Sequence, residues 1–328
     1  MTSAPDISVV LPVYDGGKYL KMSIESILSQ SHSNFELIIW DDESKDNSAN
    51  IIADYLDPRI KKFVNAHNRG LFTTLNLAIK VTQAPLIRLW SQDDIMKSNC
   101  LEEELAFLSK YPEVGMSYCA YDIIDDKGNV IWQAPHFPTP NVVSPALAAQ
   151  IMFYHGSITG NIANVTLKKS VIEEVGSFKD DMRIAGDFEM WVRVSERFPI
   201  GFLHQPLIYL RSHKGQFSRQ AASYVTCISE EHTVYATLLK RLPISEMEYA
   251  KKYDRRHRYL QYIHFMFRHL LLGHFKTAFA SYKAIRQIDN PLILMGLWIL
   301  TADQRLFRMI SKYELAYGKP EFQSDRGH

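Results

Sequence analysis

Short apolar runs alternate with helical stretches over the first 110 residues, and this alternation constrains the fold more than any other feature. Apolar runs typical of buried strands occupy residues 7–11, 35–40, 59–64 and 86–90. Stretches with helical periodicity or capping signals follow at residues 18–30, 46–55, 71–81 and 99–110. Strands and helices that alternate across short connections form mainly parallel sheets with right-handed crossovers. We therefore predict an α/β fold with a mainly parallel sheet, covered by helices on both faces.

Two of these runs lead into adjacent carboxylates. The second run ends at Asp41-Asp42, and the fourth passes through Ser91 and Gln92 into Asp93-Asp94. The carboxyl ends of parallel strands lie at one edge, and open α/β sheets bind ligands there. Either pair alone could be a solvated turn. Two pairs at the same edge indicate a binding crevice.

Glycine-rich phosphate loops are missing from this layout. The patterns GxGxxG and GxxxxGK[ST] do not occur, and Gly16-Gly17 is too short to replace them. With no cradle of backbone amides evident, a diphosphate would need a metal ion to neutralise its charge. Carboxylate oxygens are the ligands that hard cations prefer, and the region around Asp93 offers them.

The chain beyond residue 110 adds further strands and one more acid of interest. A hairpin signal at residues 125–129 and a proline-rich loop at 133–145 separate strand-like runs at 114–121, 163–168 and 202–210. Asp187 follows Gly186 at the start of a predicted helix. Such an acid can be a simple helix cap or a catalytic group, and the segment alone leaves both interpretations open.

Long helices with interleaved aromatic and basic residues begin at residue 221, which predicts an α/β domain over residues 1–220 and a helical region over 221–328. The net charge is −6 over residues 1–230 and +7 over 231–328. A basic region can contact nucleic acid, anionic lipid or an acidic partner, or it can be a solvated helical surface. The apolar stretch 291–300 is too short to span a bilayer.

Cysteine usage and the N-terminus indicate a reducing compartment. Cys100, Cys119 and Cys227 are widely spaced and form no CxxC pair, and no signal peptide precedes the first strand. We expect a cytoplasmic protein. We expect no nucleic-acid partner, because the basic region carries no recognisable motif and carboxylates at strand ends repel phosphate.

Taken together, these stretches resemble the family 2 glycosyltransferases, inverting enzymes with a GT-A fold. The resemblance covers about residues 6–218. It is carried by residues 7–14 (ISVVLPVY), 35–44 (FELIIWDDES), the helical stretch from Asn68-Arg69-Gly70 to Ala78, Ser91-Gln92-Asp93-Asp94 and Ala185-Gly186-Asp187. The first and second strands, the metal-binding DXD position and the catalytic-base motif occur in the family's order and spacing.

The resemblance implies a role for each matching position. Pro12, Tyr14, Asp42 and Gln92 would hold the nucleotide. Asp93 and His213 would bind Mg²⁺ or Mn²⁺, and Asp187 would be the general base. Two positions depart from the pattern: Ser91 replaces the first DXD acid, and Gly186 replaces the acid that commonly precedes the base.

The expected activity is hexosyl transfer with inversion, from a nucleotide-diphosphate sugar to an acceptor hydroxyl. We expect a UDP-sugar donor and a glycan or lipid-linked acceptor, in bacterial surface polysaccharide or glycolipid synthesis. Ser91 and Gly186 favour an alternative, a degenerate GT-A module that binds a sugar nucleotide or a partner without turnover. Peripheral membrane contact is a further expectation, through a basic cluster formed by Lys251, Lys252, Arg255, Arg256 and Arg258.

Overall fold

The computed structural model describes residues 4–213, 215–216 and 221–300. The chain divides into two compact units, Met1–Arg219 with Glu230–Pro243, and Gln220–Ser229 with Ile244–His328. The first unit holds a ten-stranded sheet. Its strands are β1 (Ile7–Val13), β2 (Phe35–Asp41), β3 (Ile60–Val64), β4 (Leu86–Leu89), β5 (Ile95–Met96), β6 (Met116–Ile124), β7 (Val130–Trp132), β8 (Val142–Val143), β9 (Val165–Lys168) and β10 (Ile200–Arg211).

The sheet has the order β3-β2-β1-β4-β9-β6-β10-β5, with β7 paired to β6 and β8 paired to β10. The first four strands are parallel to one another, and β6 is parallel to β10. Strand β9 runs antiparallel to both β4 and β6. Because β9 is antiparallel to both neighbours, β6 has the same direction as β4. Strand β10 is parallel to β6 and therefore points the same way as β1. The predicted α/β class is confirmed, and the carboxyl ends of β1, β2, β4 and β10 share one edge.

Among the described residues, seven α-helices lie wholly in the first unit: α1 (Leu20–Leu28), α2 (Ser48–Asp54), α3 (Leu71–Lys80), α4 (Cys100–Lys110), α5 (Pro145–His155), α6 (Lys169–Val175) and α7 (Gly186–Arg197). Strands β1 and β2 are buried along almost their whole length. Strands buried on both faces are those that helices cover from both sides. The core between the sheet and its helices includes Ile24, Leu37 and Trp90.

Pro12 lies inside β1, whereas the sequence suggested that the strand ends at this proline. The Val10 carbonyl accepts from the Trp90 amide and the Val13 carbonyl accepts from the Asp42 amide, so alternate residues of β1 face β4 and β2. Pro12 therefore faces the β4 side, beyond the last β4 partner at Leu89. The missing N–H of proline leaves no ladder hydrogen bond unmade at that position.

Helix α5 is an element that the sequence patterns did not predict. The Ser144 hydroxyl accepts from the Leu147 amide at 3.4 Å, and Pro145 begins the helix. A serine cap followed by proline in the first turn is a helix-start signal. The four prolines of residues 133–145 favoured a loop instead, and the last of them belongs to the helix.

The second unit is helical and has its own apolar core. It contains the first part of α8 (Ala221–Arg241), then α9 (Met247–Asp254), a π-helical turn at Arg255–Tyr259, α10 (Leu260–Leu271), α11 (Phe275–Ile288) and α12 (Pro291–Leu300). Its core includes Ile228, Ile263, Met266, Ile285 and Leu294. Helix α8 contributes its second part to the first unit. No described helix combines the length and apolar composition needed to cross a membrane.

Candidate active site

The loop that follows β1 is bound tightly to its neighbours. Four successive backbone N–H groups donate to side chains: Tyr14 to Gln92 Oε1 (2.8 Å), Asp15 to Ser44 Oγ (3.0 Å), Gly16 to Ser48 Oγ (3.0 Å) and Gly17 to Asp46 Oδ2 (2.8 Å). A phosphate-binding loop needs free amides that point at the ligand. This loop has none at these positions, so a bound diphosphate must be neutralised by other groups.

Gln92 holds the backbone of Tyr14 from both sides. Its Oε1 accepts from the Tyr14 N–H and its Nε2 donates to the Tyr14 carbonyl at 2.9 Å. Gly16 makes this contact possible, because a Cβ there would lie 2.4 Å from Gln92 Oε1. The Tyr14 side chain remains exposed beside this contact. Gln92 thus fixes the loop that presents Tyr14.

Asp42, at the end of β2, is buried and organises the start of α3. Its Oδ1 accepts from the Asn65 side chain at 2.7 Å and from the Arg69 amide at 2.8 Å, and its Oδ2 accepts from the Gly70 amide at 2.9 Å. A carboxylate has about four acceptor sites, so one site remains after these three bonds. Asp42 thus connects the end of β2 to the start of helix α3.

Asp93 and His213 are brought together from distant parts of the chain. Asp93 follows β4, His213 follows β10, and His213 Nε2 lies 3.3 Å from Asp93 Oδ2. The two side chains are 23% and 13% exposed. Burial raises the pKa of the Asp93 carboxyl, and His213 and Arg211 oppose that rise. The structure therefore juxtaposes the two side chains that the resemblance assigns to a metal ion.

Asp94 and Arg211 hold the segments that carry Asp93 and His213 against each other. Asp94 is buried, and its Oδ1 accepts from the Arg211 backbone amide at 2.8 Å. Burial raises the pKa of Asp94 to about 7. The Arg211 side chain donates through Nε to the Asp93 carbonyl and through Nη1 to the Asp125 carbonyl. Its guanidinium also stacks on the Tyr19 ring at 4.5 Å. Arg211 thus joins three loops at the sheet edge.

Asp187 lies in the first turn of α7, where the helix dipole favours a negative charge. It accepts from the Phe188 amide at 2.7 Å, and no Lys or Arg of the described residues forms an ion pair with it. Burial, together with the nearby carboxylates of Glu231 and Glu230, raises the pKa of the Asp187 carboxyl to about 6, although the hydrogen bond from the Phe188 amide opposes this rise. A carboxylate with this pKa is well suited to accept a proton near neutral pH.

Packing explains why glycine precedes Asp187. A Cβ at position 186 would lie 2.6 Å from Cε2 of Phe72, a residue of α3. Phe72 in turn stacks on Phe178 with ring centroids 5.6 Å apart. An acid at position 186 has no space beside this aromatic pair. Gly186 is therefore a packing feature of this chain, and it leaves the Asp187 carboxylate in place.

Glu230 of α8 is a residue that the sequence patterns did not identify. Its carboxylate accepts the backbone N–H groups of Arg183 (2.8 Å), Ile184 (2.9 Å) and Ala185 (2.8 Å). These three residues immediately precede α7 and lie in the same compact unit as Glu230. One side chain thus fixes the segment that delivers Asp187. The three bonds arise from backbone groups, which leave no signal in the sequence.

The donor set at Asp93 fits a divalent cation that a substrate helps to bind. His213 Nε2 is buried without a hydrogen-bond partner in the described part of the chain, yet it faces a carboxylate. Within that part no cluster of three or more His, Cys, Asp or Glu could hold an ion alone. Mg²⁺ is commonly bound through one or two carboxylates together with substrate phosphates. Two protein ligands are enough for such a site.

The predicted positions fall into three groups. Asp93 lies beside His213, and Gln92 is hydrogen-bonded to the backbone of Tyr14. Asp42 is hydrogen-bonded to the backbone at the start of α3, and Phe72 of this helix packs against Gly186. Pro12 lies near the end of β1 beside these loops. Among the described residues no hydrogen bond or ion pair joins Asp187 to Asp93 or His213. The chain of contacts through α3 connects the two sides of the site.

Residues 8–175 match the family model described as Glycosyl transferase family 2. The chain belongs to glycosyltransferase family 2. The match contains nearly all of β1, the strands β2 to β9, and the Asp41-Asp42 and Asp93-Asp94 pairs, whereas Asp187, β10 and His213 lie beyond its end.

Curated relatives of this glycosyltransferase cover most of its length. An uncharacterized glycosyltransferase of Rickettsia typhi is 27% identical over 250 residues, which is 75% of each chain. The putative glycosyltransferase EpsE of Bacillus subtilis is 30% identical over 262 residues, 77% of this chain and 89% of EpsE. A shorter match of 124 residues, 31% identical, links it to the Escherichia coli UDP-Glc:alpha-D-GlcNAc-diphosphoundecaprenol beta-1,3-glucosyltransferase WfgD, with 38% of this chain and 49% of WfgD covered.

Solved structures show the same fold at low identity. S. aureus TarS 1-349 in complex with UDP-GlcNAc has a TM-score of 0.59 at 16% identity, with 86% of this chain and 92% of that chain covered. The mannosyltransferase PcManGT from Pyrobaculum calidifontis, in complex with GDP-Man and Mn²⁺, has a TM-score of 0.57 at 14% identity, with 96% and 83% covered. At these identities the likeness concerns the fold alone.

Proposed function

We propose that this family 2 glycosyltransferase moves a hexose with inversion from a nucleotide-diphosphate donor to an acceptor hydroxyl. The observation that carries the proposal is the contact of Asp93 with His213 at the sheet edge where β4 and β10 end. The neighbouring loop has no free amides at residues 14–17, so a diphosphate bound there requires a cation. Both features point to a donor with a charged diphosphate leaving group.

The nucleotide is proposed to lie against the loops after β1 and β2. Tyr14 offers an exposed aromatic ring, Pro12 lies near the end of β1, and Asp42 follows the end of β2 at the same edge. Gln92 acts through the Tyr14 backbone, since both of its polar atoms are engaged there. The names of TarS and PcManGT complexes, which contain UDP-GlcNAc and GDP-Man, support a nucleotide-sugar donor for this fold. A UDP-sugar is the donor we favour.

Asp93 and His213 are proposed to hold Mg²⁺ or Mn²⁺ together with the donor's phosphate oxygens. Such a cation neutralises the charge that develops on a leaving diphosphate. Arg211 and Asp94 contribute by fixing the loop that carries Asp93. The Mn²⁺ named in the PcManGT complex supports a divalent cation in this fold.

Asp187 is proposed to be the general base. The acceptor oxygen attacks the anomeric carbon and gives its proton to Asp187, a new C–O bond forms on the face opposite the donor phosphate, and the bond to the phosphate oxygen breaks. The bonding pair leaves with the nucleotide diphosphate. One carboxylate on the acceptor side suffices for this single displacement. A base with a pKa of about 6 is largely ionised at pH 7.

The acceptor is proposed to be a glycan or lipid-linked saccharide of a bacterial surface polysaccharide or glycolipid pathway. The name of WfgD specifies UDP-Glc as donor, a diphosphoundecaprenol-linked acceptor and a beta linkage. A β-linked product from an α-linked nucleotide sugar is the outcome of inversion. A lipid-linked acceptor of this kind would place the protein at the cytoplasmic face of a membrane.

Donor turnover tests this proposal without knowledge of the acceptor. The purified protein is incubated with UDP-glucose, UDP-GlcNAc or GDP-mannose, with Mn²⁺ or with EDTA, and nucleotide diphosphate release is measured. We expect slow Mn²⁺-dependent release from at least one UDP-sugar, which a mixture of bacterial lipid-linked saccharides accelerates. Mn²⁺-dependent binding with no release under any condition would instead support the degenerate binding module.

Replacing Glu230 by Gln tests how Asp187 is positioned. The glutamine side chain keeps one acceptor oxygen. Its NH₂ group, however, faces backbone N–H groups that donate to the Glu230 carboxylate in the parent protein. We expect donor turnover to fall by about 10- to 100-fold, because small displacements of a reacting group are costly. The acidic limb of the pH–rate profile should also move to lower pH, because Glu230 raises the pKa of Asp187.

The pH profile separates this role from general destabilisation. Glu113→Gln removes an exposed carboxylate outside these contacts and should leave both rate and profile unchanged. A Glu230→Gln protein with normal turnover and an unshifted profile would show that Glu230 does not position the base.

A further inference from the structure

The helical hairpin α10–α11 presents an apolar tip to solvent. Its tip consists of Leu270, Leu271, Leu272, Phe275 and Phe279, all of them exposed. Leu271 is 86% exposed, Phe275 67% and Phe279 59%. Large apolar side chains that are contiguous in sequence and exposed together mark contact sites more often than isolated ones do. The buried faces of both helices are occupied by the core of the second unit, so the tip is a separate surface.

The backbone holds this tip in a defined shape. Helix α10 ends with Gly273 at φ +76°, the Gly273 amide donates to the Leu270 carbonyl, and the His274 amide donates to the His269 carbonyl. These bonds form a Schellman motif, which satisfies the last carbonyls of a helix. Phe275 then begins α11, and Phe279 follows one turn later on the same face. The apolar residues therefore belong to an ordered turn.

Charge around the tip has one sign. Residues 255–288 contain seven Lys or Arg and four His, and no Asp or Glu. Arg255 pairs with Asp289, and Arg258 is buried against Asp254. The other five cations are exposed and form no ion pair among the described residues: Arg256, Arg268, Lys276, Lys283 and Arg286. The basic cluster expected from sequence, residues 251–258, is thus partly neutralised, and the exposed charge extends toward the tip.

Lys276 shows that helix stability alone does not explain this charge. Arg268 lies in the last turn of α10, where a cation is favourable for the helix dipole. Lys276 lies in the first turn of α11, where a cation is unfavourable. Two exposed cations therefore flank the apolar turn, one of them against the local preference of its helix. A negatively charged ligand at the tip would compensate for the unfavourable position of the Lys276 charge at the start of α11.

We propose that the α10–α11 tip docks on an anionic lipid bilayer, with Leu271 and Phe275 inserted at the acyl boundary and Arg268 and Lys276 among the headgroups. Interfacial helices bury their apolar residues about 5–10 Å below the headgroups, and long basic side chains reach back to the phosphates. Phe279 lies about 6 Å further along α11, and Lys283 about 12 Å from the tip, at a rise of roughly 1.5 Å per residue. Phe279 and then Lys283 therefore lie progressively farther from the tip along α11.

A second copy of the chain is a poorer occupant. A two-fold contact pairs the same patch with itself, so it would bring two sets of unpaired cations together. Charge of one sign favours a surface of the opposite sign instead. The docking goes beyond the proposed sugar transfer, and it can be measured without any donor or acceptor.

Liposome flotation of the full chain decides the question. Vesicles of phosphatidylcholine alone are compared with vesicles containing phosphatidylglycerol, at low and high salt. We expect flotation with the anionic vesicles that salt weakens. The double variant Leu271→Asp/Phe275→Asp should lower the partition coefficient roughly 10²-fold, because it removes the buried apolar area. Arg268→Glu/Lys276→Glu should lower binding to anionic vesicles at least tenfold.

Ile244→Asp is the matched control, because Ile244 is 89% exposed in the same unit but outside the hairpin. It should float like the parent protein. Circular dichroism and melting curves check that each variant is folded. Equal flotation of the parent and the Leu271→Asp/Phe275→Asp variant would overturn the proposal. So would a parent protein that binds no anionic vesicle but is a dimer which the same double variant makes monomeric, since a second copy would then occupy the tip.

Discussion

Asp187→Asn lowers sugar transfer by roughly 10²–10⁴-fold while donor affinity stays within a few-fold of the parent, if Asp187 is the general base. Asn has nearly the same shape and can still accept from the Phe188 amide, so the start of α7 is kept. It cannot take the acceptor's proton. The measurements are nucleotide diphosphate release with acceptor present and titration calorimetry with the donor.

The pH dependence provides a second test of the same role. Only the ionised carboxylate accepts a proton, so the rate should rise with pH through about 6 and level off above it. Asp181→Asn is the matched control, because Asp181 is an exposed acid a few residues before α7. It should retain full activity. A fully active Asp187→Asn protein would remove Asp187 from the role of base.

Asp93→Ala should reduce Mn²⁺-stimulated turnover by about 10²–10³-fold, because it deletes the one DXD carboxylate that this chain retains. Calorimetry should show that UDP binding no longer depends on Mn²⁺. His213→Ala should have a smaller effect, since a neutral imidazole supplies no charge to a hard cation. Removing Asp93 also leaves the buried His213 Nε2 without its neighbouring carboxylate.

The control for the metal site is Asp54→Ala, which removes an exposed acid at the end of α2. Its turnover should match that of the parent. The decisive comparison uses the parent protein itself. If it is fully active in EDTA, the cation role is wrong for both Asp93 and His213.

The sheet and the position of the site could be predicted because both depend on local patterns. Strand–helix alternation with short connections leaves few possible topologies, and the carboxyl ends of β2 and β4 had to share an edge. The Asp41-Asp42 and Asp93-Asp94 pairs lie at that edge for the same reason. Asp93 and His213 are 120 residues apart in the sequence, and the family pattern, not their spacing, placed them together.

The residues that support the site could not be found in this way. Arg211 binds the carbonyls of Asp93 and Asp125, and Glu230 binds three amides before α7. Their partners are backbone groups, which every residue type has, so no pattern of side chains marks the contact. Arg88 was missed for a different reason, because its partner is a side chain: it lies fully buried in β4, where Glu104 of α4 pairs with it at 3.2 Å. Such ion pairs depend on how a strand and a helix are aligned with each other, and this alignment is known only from the structure.

Gly186 illustrates a departure that only packing explains. Compared with the family pattern, the glycine at position 186 suggested a degenerate catalytic motif. The structure shows that Phe72 occupies the space that a side chain would need, while Asp187 keeps its place in the first turn of α7. A missing acid at this position is therefore compatible with catalysis.

The anomeric configuration of the sugar released from the donor tests the central claim most directly. The protein is incubated with Mn²⁺ and the UDP-sugar that it turns over, and ¹H NMR follows the anomeric proton before the free sugar mutarotates. Direct displacement with Asp187 as base predicts that the β-anomer appears first from an α-linked UDP-sugar, and that Asp187→Asn abolishes this signal. Initial release of the α-anomer would contradict the account.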